Sequence, residues 1–266
     1  YAKLYKQICD FLRGNGCIYY VATDGEDSFP GTKQHPFMTL STAISVVEPG
    51  DTIIVRGGTY NCATTIHIDK SGEAGKPIRI IAYAGETPVF NFSAAKGEGL
   101  LITGAYWRIK GLTITNTESW GVKLETKGAH HNILEQVTSH SNNITGIVLI
   151  GGPAYNIIIN CDTHRNFDPW WNGENADGFG VYTNIGEGNV LIGCRAWLNS
   201  DDGFDLDQAN VSVRLENCYA YRNGENIWGH PAFTGNATGF KLGSGKGRHV
   251  LICCAAWNHN LDGFRL

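Results

Sequence analysis

The sequence predicts an all-β protein that folds as a right-handed parallel β-helix, a solenoid with an N-terminal capping helix. Two observations support the solenoid: a short strand motif recurs along most of the chain, and an asparagine returns at one position of the repeat. A third observation, apolar residues at helical spacing before residue 50, predicts the cap. Leucine-rich repeats have similar lengths, but the leucine-dense consensus that they need is absent.

The recurring motif is glycine, an apolar residue, a variable residue and a second apolar residue. It occurs as GVKL at 121, GIVL at 146, GFGV at 178, GFDL at 203, GFKL at 239 and GFRL at 263. The starting glycines are separated by 25, 32, 25, 36 and 24 residues. The unit is therefore close to 25 residues long, with insertions in the two longer intervals.

A second strand of each unit supplies the recurring asparagine. Four asparagines stand five residues after an apolar residue that follows this strand: Asn142, Asn166, Asn199 and Asn223. Stacked amide side chains can satisfy the backbone groups at the bend of a solenoid. The positions therefore predict an asparagine ladder.

The eight cysteines do not form an obvious disulfide framework. Four of them follow apolar runs at equivalent points of the repeat: Cys161, Cys194, Cys218 and Cys254. We interpret these as small buried hydrophobic residues, not as redox or metal sites. Cys9, Cys17 and Cys62 lie outside the pattern, and their spacing leaves their pairing open.

The N-terminal region differs from the repeat. Residues 35–51, HPFMTLSTAISVVEPGD, predict a helix between Pro36 and Pro49-Gly50 that would cover the open end of the first coil. We expect a single domain in which residues 1–50 form the cap region and residues 51–266 form the coils. Because the chain stops inside a strand of the sixth unit, we also expect further coils after Leu266.

The formal net charge is −4, which argues against a nucleic-acid or membrane partner held by bulk electrostatics. No apolar run approaches the length of a membrane span. We therefore expect neither partner.

Carboxylates are crowded into NSDDGFDL, residues 199–206, which contains Asp201, Asp202 and Asp205. The position before each motif glycine forms a column along the stacked coils: Trp120, Thr145, Asp177, Asp202, Thr238 and Asp262. Asp177 thus joins the cluster from the preceding coil. Four carboxylates without histidine or cysteine suit Ca²⁺, which takes six to eight oxygen ligands. Asp262 lacks acidic neighbours and is interpreted as a turn residue.

A second column places a lysine beside this cluster. Because alternate residues of a strand face opposite ways, Phe204 and Leu206 point inward and Asp205 points outward. The column of Asp205 reads Lys123, Val148, Gly180, Asp205, Lys241 and Arg265. An isolated surface lysine is usually just solvated. Beside the acidic cluster, that interpretation is less favoured for Lys241.

These residues resemble the family 9 polysaccharide lyases, pectate lyases with a right-handed β-helix. The resemblance rests on NADGFGV at 175, NVLIGCRAWLNSDDGFDL at 189 and NATGFKLGSG at 236, in this order. It implies that Lys241 is the Brønsted base and that Ca²⁺ is bound by four residues: Asp177, Asp201, Asp202 and Asp205. The implied reaction is β-elimination in polygalacturonate, an acidic plant cell-wall polysaccharide. No leaving-group acid is evident, and water can serve.

The resemblance also sets expectations about the substrate and the location. The segment NGENIWGHPAFTGN before Lys241 departs from the family pattern, and we expect it to reshape the groove. The candidate substrate-binding residues are Arg265, Arg248, Trp228 and His230. Since a polymer does not easily enter a cell, we expect a secreted, extracellular protein, and a monomer.

Three other functions are compatible with part of this pattern. The sequence fits a rhamnogalacturonan lyase of the same family equally well. A non-catalytic, calcium-stabilised carbohydrate-binding solenoid would keep the aspartates, as a purely structural Ca²⁺ would, but has no need for Lys241. Polygalacturonases use acid and base carboxylates. Their GHG motif is absent, however, and RIK at 108 precedes the aspartates, which disfavours hydrolysis.

Overall fold

The computed structural model describes residues 16–266, which form three parallel β-sheets and one short helix. Residues 1–15 of the predicted cap region, including Cys9, lie outside the described residues. Strands are numbered β1 to β25 along the chain.

Sheet I has nine strands: β1 Ile18–Val21, β2 Thr52–Val55, β5 Ile78–Ala82, β8 Trp107–Lys110, β11 Ile133–Glu135, β14 Ile157–Ile159, β17 Val190–Ile192, β20 Arg214–Glu216 and β23 Val250–Ile252. Sheet II has eight: β4 Ile66–Ile68, β7 Leu100–Ile102, β10 Val122–Glu125, β13 Ile147–Ile150, β16 Phe179–Val181, β19 Phe204–Asp205, β22 Phe240–Lys241 and β25 Phe264–Arg265. Sheet III also has eight: β3 Gly58–Asn61, β6 Pro88–Asn91, β9 Thr113–Thr115, β12 Thr138–His140, β15 Asp162–His164, β18 Arg195–Trp197, β21 Tyr219–Tyr221 and β24 Ala255–Trp257.

Each sheet pairs strands that lie one coil apart in the chain, and each coil from β2 onward contributes one strand to every sheet. This topology is that of a parallel β-helix, so the predicted fold is confirmed. All six predicted motifs lie at strands of sheet II, and two earlier coils, through β4 and β7, extend the same sheet. Sheet I begins with β1, inside the predicted cap region of residues 1–50.

The interior of the solenoid is a stack of matching side chains. The buried rings of Phe179, Phe204 and Phe240 stack in sequence, and the half-exposed ring of Phe264 on the last coil continues the stack, with centroids 4.9, 4.7 and 5.0 Å apart. Cys161, Cys194 and Cys218 are fully buried free thiols, as predicted, whereas Cys254 in the last coil is only partly buried. Burial raises the pKa of the Cys194 thiol well above its usual value. Cys62 is also a free thiol. These thiols act as packing residues.

Two asparagine ladders hold the bends between sheets. The predicted ladder runs from Asn142 through Asn166 and Asn199 to Asn223, with amide-to-amide hydrogen bonds of 2.9, 2.8 and 3.0 Å. A second ladder at another corner was not predicted, and it consists of Asn132, Asn156 and Asn189. Every ladder asparagine is buried, so these bonds satisfy backbone groups that water cannot reach.

The predicted helix is present as α1, Leu40–Val46. Its N-cap Thr39 accepts a hydrogen bond from the Thr42 amide, and α1 packs against β1, β2 and β4 through Leu40, Ala43 and Ile44. Its role in closing the first coil stays a prediction. Within residues 16–266, no helix has the length and hydropathy needed to cross a bilayer.

Candidate active site

The stacking register places five of the predicted site residues in two adjacent columns: Asp177, Asp202, Asp205, Lys241 and Arg265. Asp205 lies between Gly180 and Lys241 in sheet II, and Lys241 is followed by Arg265. The Gly178 amide donates to the Asp202 carbonyl, so Asp202 lies one coil after Asp177. Both columns drawn from the repeat therefore occur in the fold.

Asp177, Asp202 and Asp205 form a carboxylate cluster in which one oxygen of each lies within 4.8 Å of the others. The fold fixes one oxygen of each carboxylate, through three hydrogen bonds: Thr145 Oγ to Asp177 Oδ2, 3.1 Å; Thr238 N to Asp202 Oδ1, 2.6 Å; and Asp207 N to Asp205 Oδ1, 2.7 Å. Asp201 is also buried, and it lines a cavity beside the cluster. Its carboxylate oxygens are not part of the group of three within 4.8 Å of one another.

Burial raises the pKa of all four carboxyl groups. Repulsion from other carboxylates of this group adds to the effect at Asp177, Asp201 and Asp202, and the positive charge of Lys241 opposes it at all four. The pKa of Asp202 rises to about 6, and those of Asp177 and Asp201 rise well above their usual value. Asp177 Oδ1 and Asp201 Oδ1 are buried and have no hydrogen-bond partner among the described residues. Oxygen donors that are crowded, buried and unsatisfied fit a divalent cation such as Ca²⁺.

Lys241 closes one side of the cluster. Its Nζ lies 3.2 Å from Asp202 Oδ2 and 3.3 Å from Asp205 Oδ2, and its side chain is 28% exposed. Burial lowers the pKa of Lys241, but the charges of Asp205, Asp202 and Asp177 outweigh burial and hold it above its ordinary value. The lysine thus touches both the carboxylates and solvent.

A cavity of about 650 Å³ opens beside the cluster. Asp177, Asp201, Asp205 and Lys241 lie in its wall, together with Trp120, Ile144, Asp168, Trp170, Trp171, Glu174, Asn175, Tyr182, Thr183, Asp207 and Gln208. Asp205 faces away from the core, as predicted, yet it is only 9% exposed because these neighbours surround it. A Cβ on Gly180 would lie 2.4 Å from the Tyr182 ring, so glycine is required there for the tyrosine to stand beside Asp205.

The four candidate substrate-binding residues do not line this cavity. Arg265 follows Lys241 in its column, on the last strand of sheet II. Arg248 precedes β23 of sheet I, and its amide donates to Ser212 Oγ. Trp228 and His230 contact the Phe167 ring instead, at centroid distances of 4.7 and 5.4 Å.

Trp170 and Trp171 line the cavity but were not predicted from the sequence as site residues. They lie in the insertion that lengthens the interval between Gly146 and Gly178 to 32 residues. That long interval was the available indication that a loop projects from this coil.

A protein-family model described as "Pel9A-like, right handed beta helix region" matches residues 19–266. The chain belongs to this Pel9A-like family. The match covers almost all of the described residues and includes both columns of the site.

Relatives of this Pel9A-like chain include pectate lyase L of Dickeya dadantii (strain 3937), which is 40% identical over 93% of the chain and 61% of the relative's length. The crystal structure of pectate lyase Pel9A has a TM-score of 0.85 and 39% identity, over 92% of this chain and 64% of that one. A solved rhamnogalacturonan lyase has a TM-score of 0.83 and 32% identity, over 92% and 69%. The chain thus spans about three fifths of the Dickeya enzyme.

Proposed function

We propose that this chain carries the active site of a polysaccharide lyase, a calcium-dependent pectate lyase that cleaves polygalacturonate by β-elimination. The observation that carries the proposal is the contact of Lys241 Nζ with Asp202 and Asp205, at 3.2 and 3.3 Å, at the wall of an open cavity. A cation held by this cluster would bind the carboxylate of a uronate, and the lysine at the edge of the cluster would then lie close enough to that sugar to act as the base.

The residues take distinct roles in this reaction. Asp177, Asp202 and Asp205, with Asp201 beside them, would hold Ca²⁺. When bound, Ca²⁺ supplies positive charge that offsets the carboxylates holding the proton of Lys241 and that stabilises charge developing on the uronate carboxylate.

Lys241, as the base, takes the C5 proton, which is α to the C6 carboxylate. The electron pair of the C5–H bond forms the C4=C5 double bond, and the C4–O bond breaks. The departing oxygen gains a proton from water. The products are a new chain end and an unsaturated uronide.

The proposed reaction has a direct test. Incubation with polygalacturonate and Ca²⁺ should release a product that absorbs in the ultraviolet through its new double bond, and a chelator should abolish the release. A hydrolase would release reducing ends without this absorbance, and a binding solenoid would release neither. Either of those two results would overturn the proposal.

Rhamnogalacturonan is the second candidate substrate, because a rhamnogalacturonan lyase superposes on this chain with a TM-score of 0.83. The same assay with rhamnogalacturonan separates the two activities. A pectate lyase should release the unsaturated product from polygalacturonate only, and a rhamnogalacturonan lyase should release it from rhamnogalacturonan only. An acidic cell-wall polymer also implies secretion, which detection of the protein in culture medium would test.

A further inference from the structure

Two neighbouring tryptophans project from the loop beside the carboxylate cluster. Trp170 is 56% exposed and Trp171 is 65% exposed, and both line the cavity that contains Asp177 and Lys241. Large aromatic side chains left this open to water commonly mark a binding surface.

The loop that carries them is held firmly by one buried side chain. Asp168 is 1% exposed, and its Oδ1 accepts hydrogen bonds from the Trp170 and Trp171 amides at 2.9 and 3.1 Å. Its Oδ2 accepts from Asn175 Nδ2 at 3.0 Å. The backbone at both indoles is therefore fixed before any ligand arrives, which reduces the entropy cost of binding.

The second insertion, in the 36-residue interval between Gly203 and Gly239, packs against this loop. The Thr234 amide donates to the Asn172 carbonyl at 3.0 Å, and Gly173 is packed so closely that a Cβ there would lie 2.9 Å from the Phe233 ring. Phe233 and Trp228 in turn stack near Phe167. Trp228 was expected to contact substrate, but it packs among the aromatic residues that hold the loop of the exposed tryptophans.

We propose that Trp170 and Trp171 form a stacking subsite for a pyranose ring of the polysaccharide, adjoining the uronate held at the carboxylate cluster. This inference rests on the proposed function, because it takes the substrate to be a chain long enough to reach beyond the cleaved bond. An indole packs against the apolar C–H face of a sugar and needs no charge complementarity. The rest of the cavity wall is rich in carboxylates, which repel an acidic polymer. An uncharged stacking contact therefore adds affinity for such a polymer without adding repulsion.

The test compares Trp170→Ala and Trp171→Ala with a matched control, Trp257→Ala. Trp257 is also exposed, at 44%, but lies on β24 of sheet III, where it stacks on Tyr221. We expect KM for polygalacturonate to rise about tenfold in either loop variant, with kcat within about twofold, as loss of one aromatic contact implies. Phenylalanine at either position should restore part of the affinity, and the control should match the parent protein.

Calorimetric titration of polygalacturonate into a Lys241→Ala background, with Ca²⁺ present, gives a readout that needs no turnover. There the loop variants should weaken Kd about tenfold. An active parent protein with unchanged KM and Kd in both loop variants would overturn the subsite but not the lyase. If the parent protein releases no unsaturated product, the lyase proposal fails. In that case weaker polygalacturonate binding by the loop variants still supports the subsite, and absence of binding overturns it.

Discussion

At the scale of single residues, Asp202 uses one carboxylate oxygen to bind the backbone and the other to contact Lys241. Its Oδ1 accepts from the Thr238 amide at 2.6 Å, while its Oδ2 lies 3.2 Å from Lys241 Nζ. Substitution by alanine would remove both interactions. Substitution by asparagine keeps an acceptor for Thr238, removes the charge and replaces the oxygen that faces Lys241 with an amide NH2 group.

Asp202→Asn should therefore fold normally and lose Ca²⁺ affinity. We expect a loss above about 100-fold, because even second-layer partners of a metal contribute about 10–100-fold. Calorimetry measures the affinity, and circular dichroism checks the fold. The matched control is Asp262→Asn, at the same position of the repeat but without the carboxylate cluster. Unchanged Ca²⁺ binding in Asp202→Asn would remove this residue from the ligand set.

Lys241 allows a test that separates a base from a charge anchor. Arginine keeps the positive charge but holds its proton too firmly to act as a base. Lys241→Arg and Lys241→Ala should both lose about 10²–10⁴-fold in kcat while still binding Ca²⁺. Lys110→Arg is the control, since Lys110 also contacts a carboxylate, that of Glu135 at 2.7 Å, but lies on sheet I. Near-normal turnover in Lys241→Arg would assign the proton transfer to another group.

At the scale of elements, the buried asparagine ladder joins successive coils. Asn199 Oδ1 accepts from Asn166, and its Nδ2 donates to Asn223 and to the Thr163 carbonyl. Asn199→Ala leaves these buried groups without partners and should lower the free energy of unfolding by about 2–3 kcal/mol. Urea unfolding measures the change. Asn91→Ala, in a partly exposed asparagine stack, should cost less than about 0.5 kcal/mol, and equal losses at both positions would contradict the argument.

The repeat explains how much of these elements could be predicted. A one-residue slip would turn Phe204 outward, so the motif fixes the register and with it the pairing of Asp205 with Lys241. The second ladder was also predictable: Asn132, Asn156 and Asn189 have the same spacings, 24 and 33 residues, as the first three members of the other ladder.

The insertions could not be predicted in the same way. Trp170 and Trp171 stand in a segment without periodicity, and their loop depends on contacts such as that of Gly173 with Phe233, 60 residues later. The burial of Asp205 was missed for the same reason. Alternation correctly turned its side chain away from the core, but it gave no information on the loops that surround it.

At the scale of the whole molecule, the cluster concentrates unfavourable charge within the solenoid. The folded-state pKa of Asp202 is raised to about 6, above that of an exposed carboxyl group. The folded protein therefore binds protons that the unfolded chain has already released. The stability from this group is fully present below the unfolded pKa and is lost as pH rises through about 6.

Calcium-free protein should consequently become less stable as pH rises from about 5 to 8, relative to Asp202→Asn at each pH. The comparison cancels the histidines, whose lowered pKa values, about 4 for His164, act in the opposite direction in both proteins. Saturating Ca²⁺ should remove the loss. At 100 times Kd it adds about 2.7 kcal/mol, or roughly 5–10 °C in Tm for a domain of this size. Scanning calorimetry with chelator and with Ca²⁺ measures both effects. If the parent protein in chelator shows the same change in stability with pH as Asp202→Asn across this range, the cluster carries no unfavourable charge for a cation to relieve.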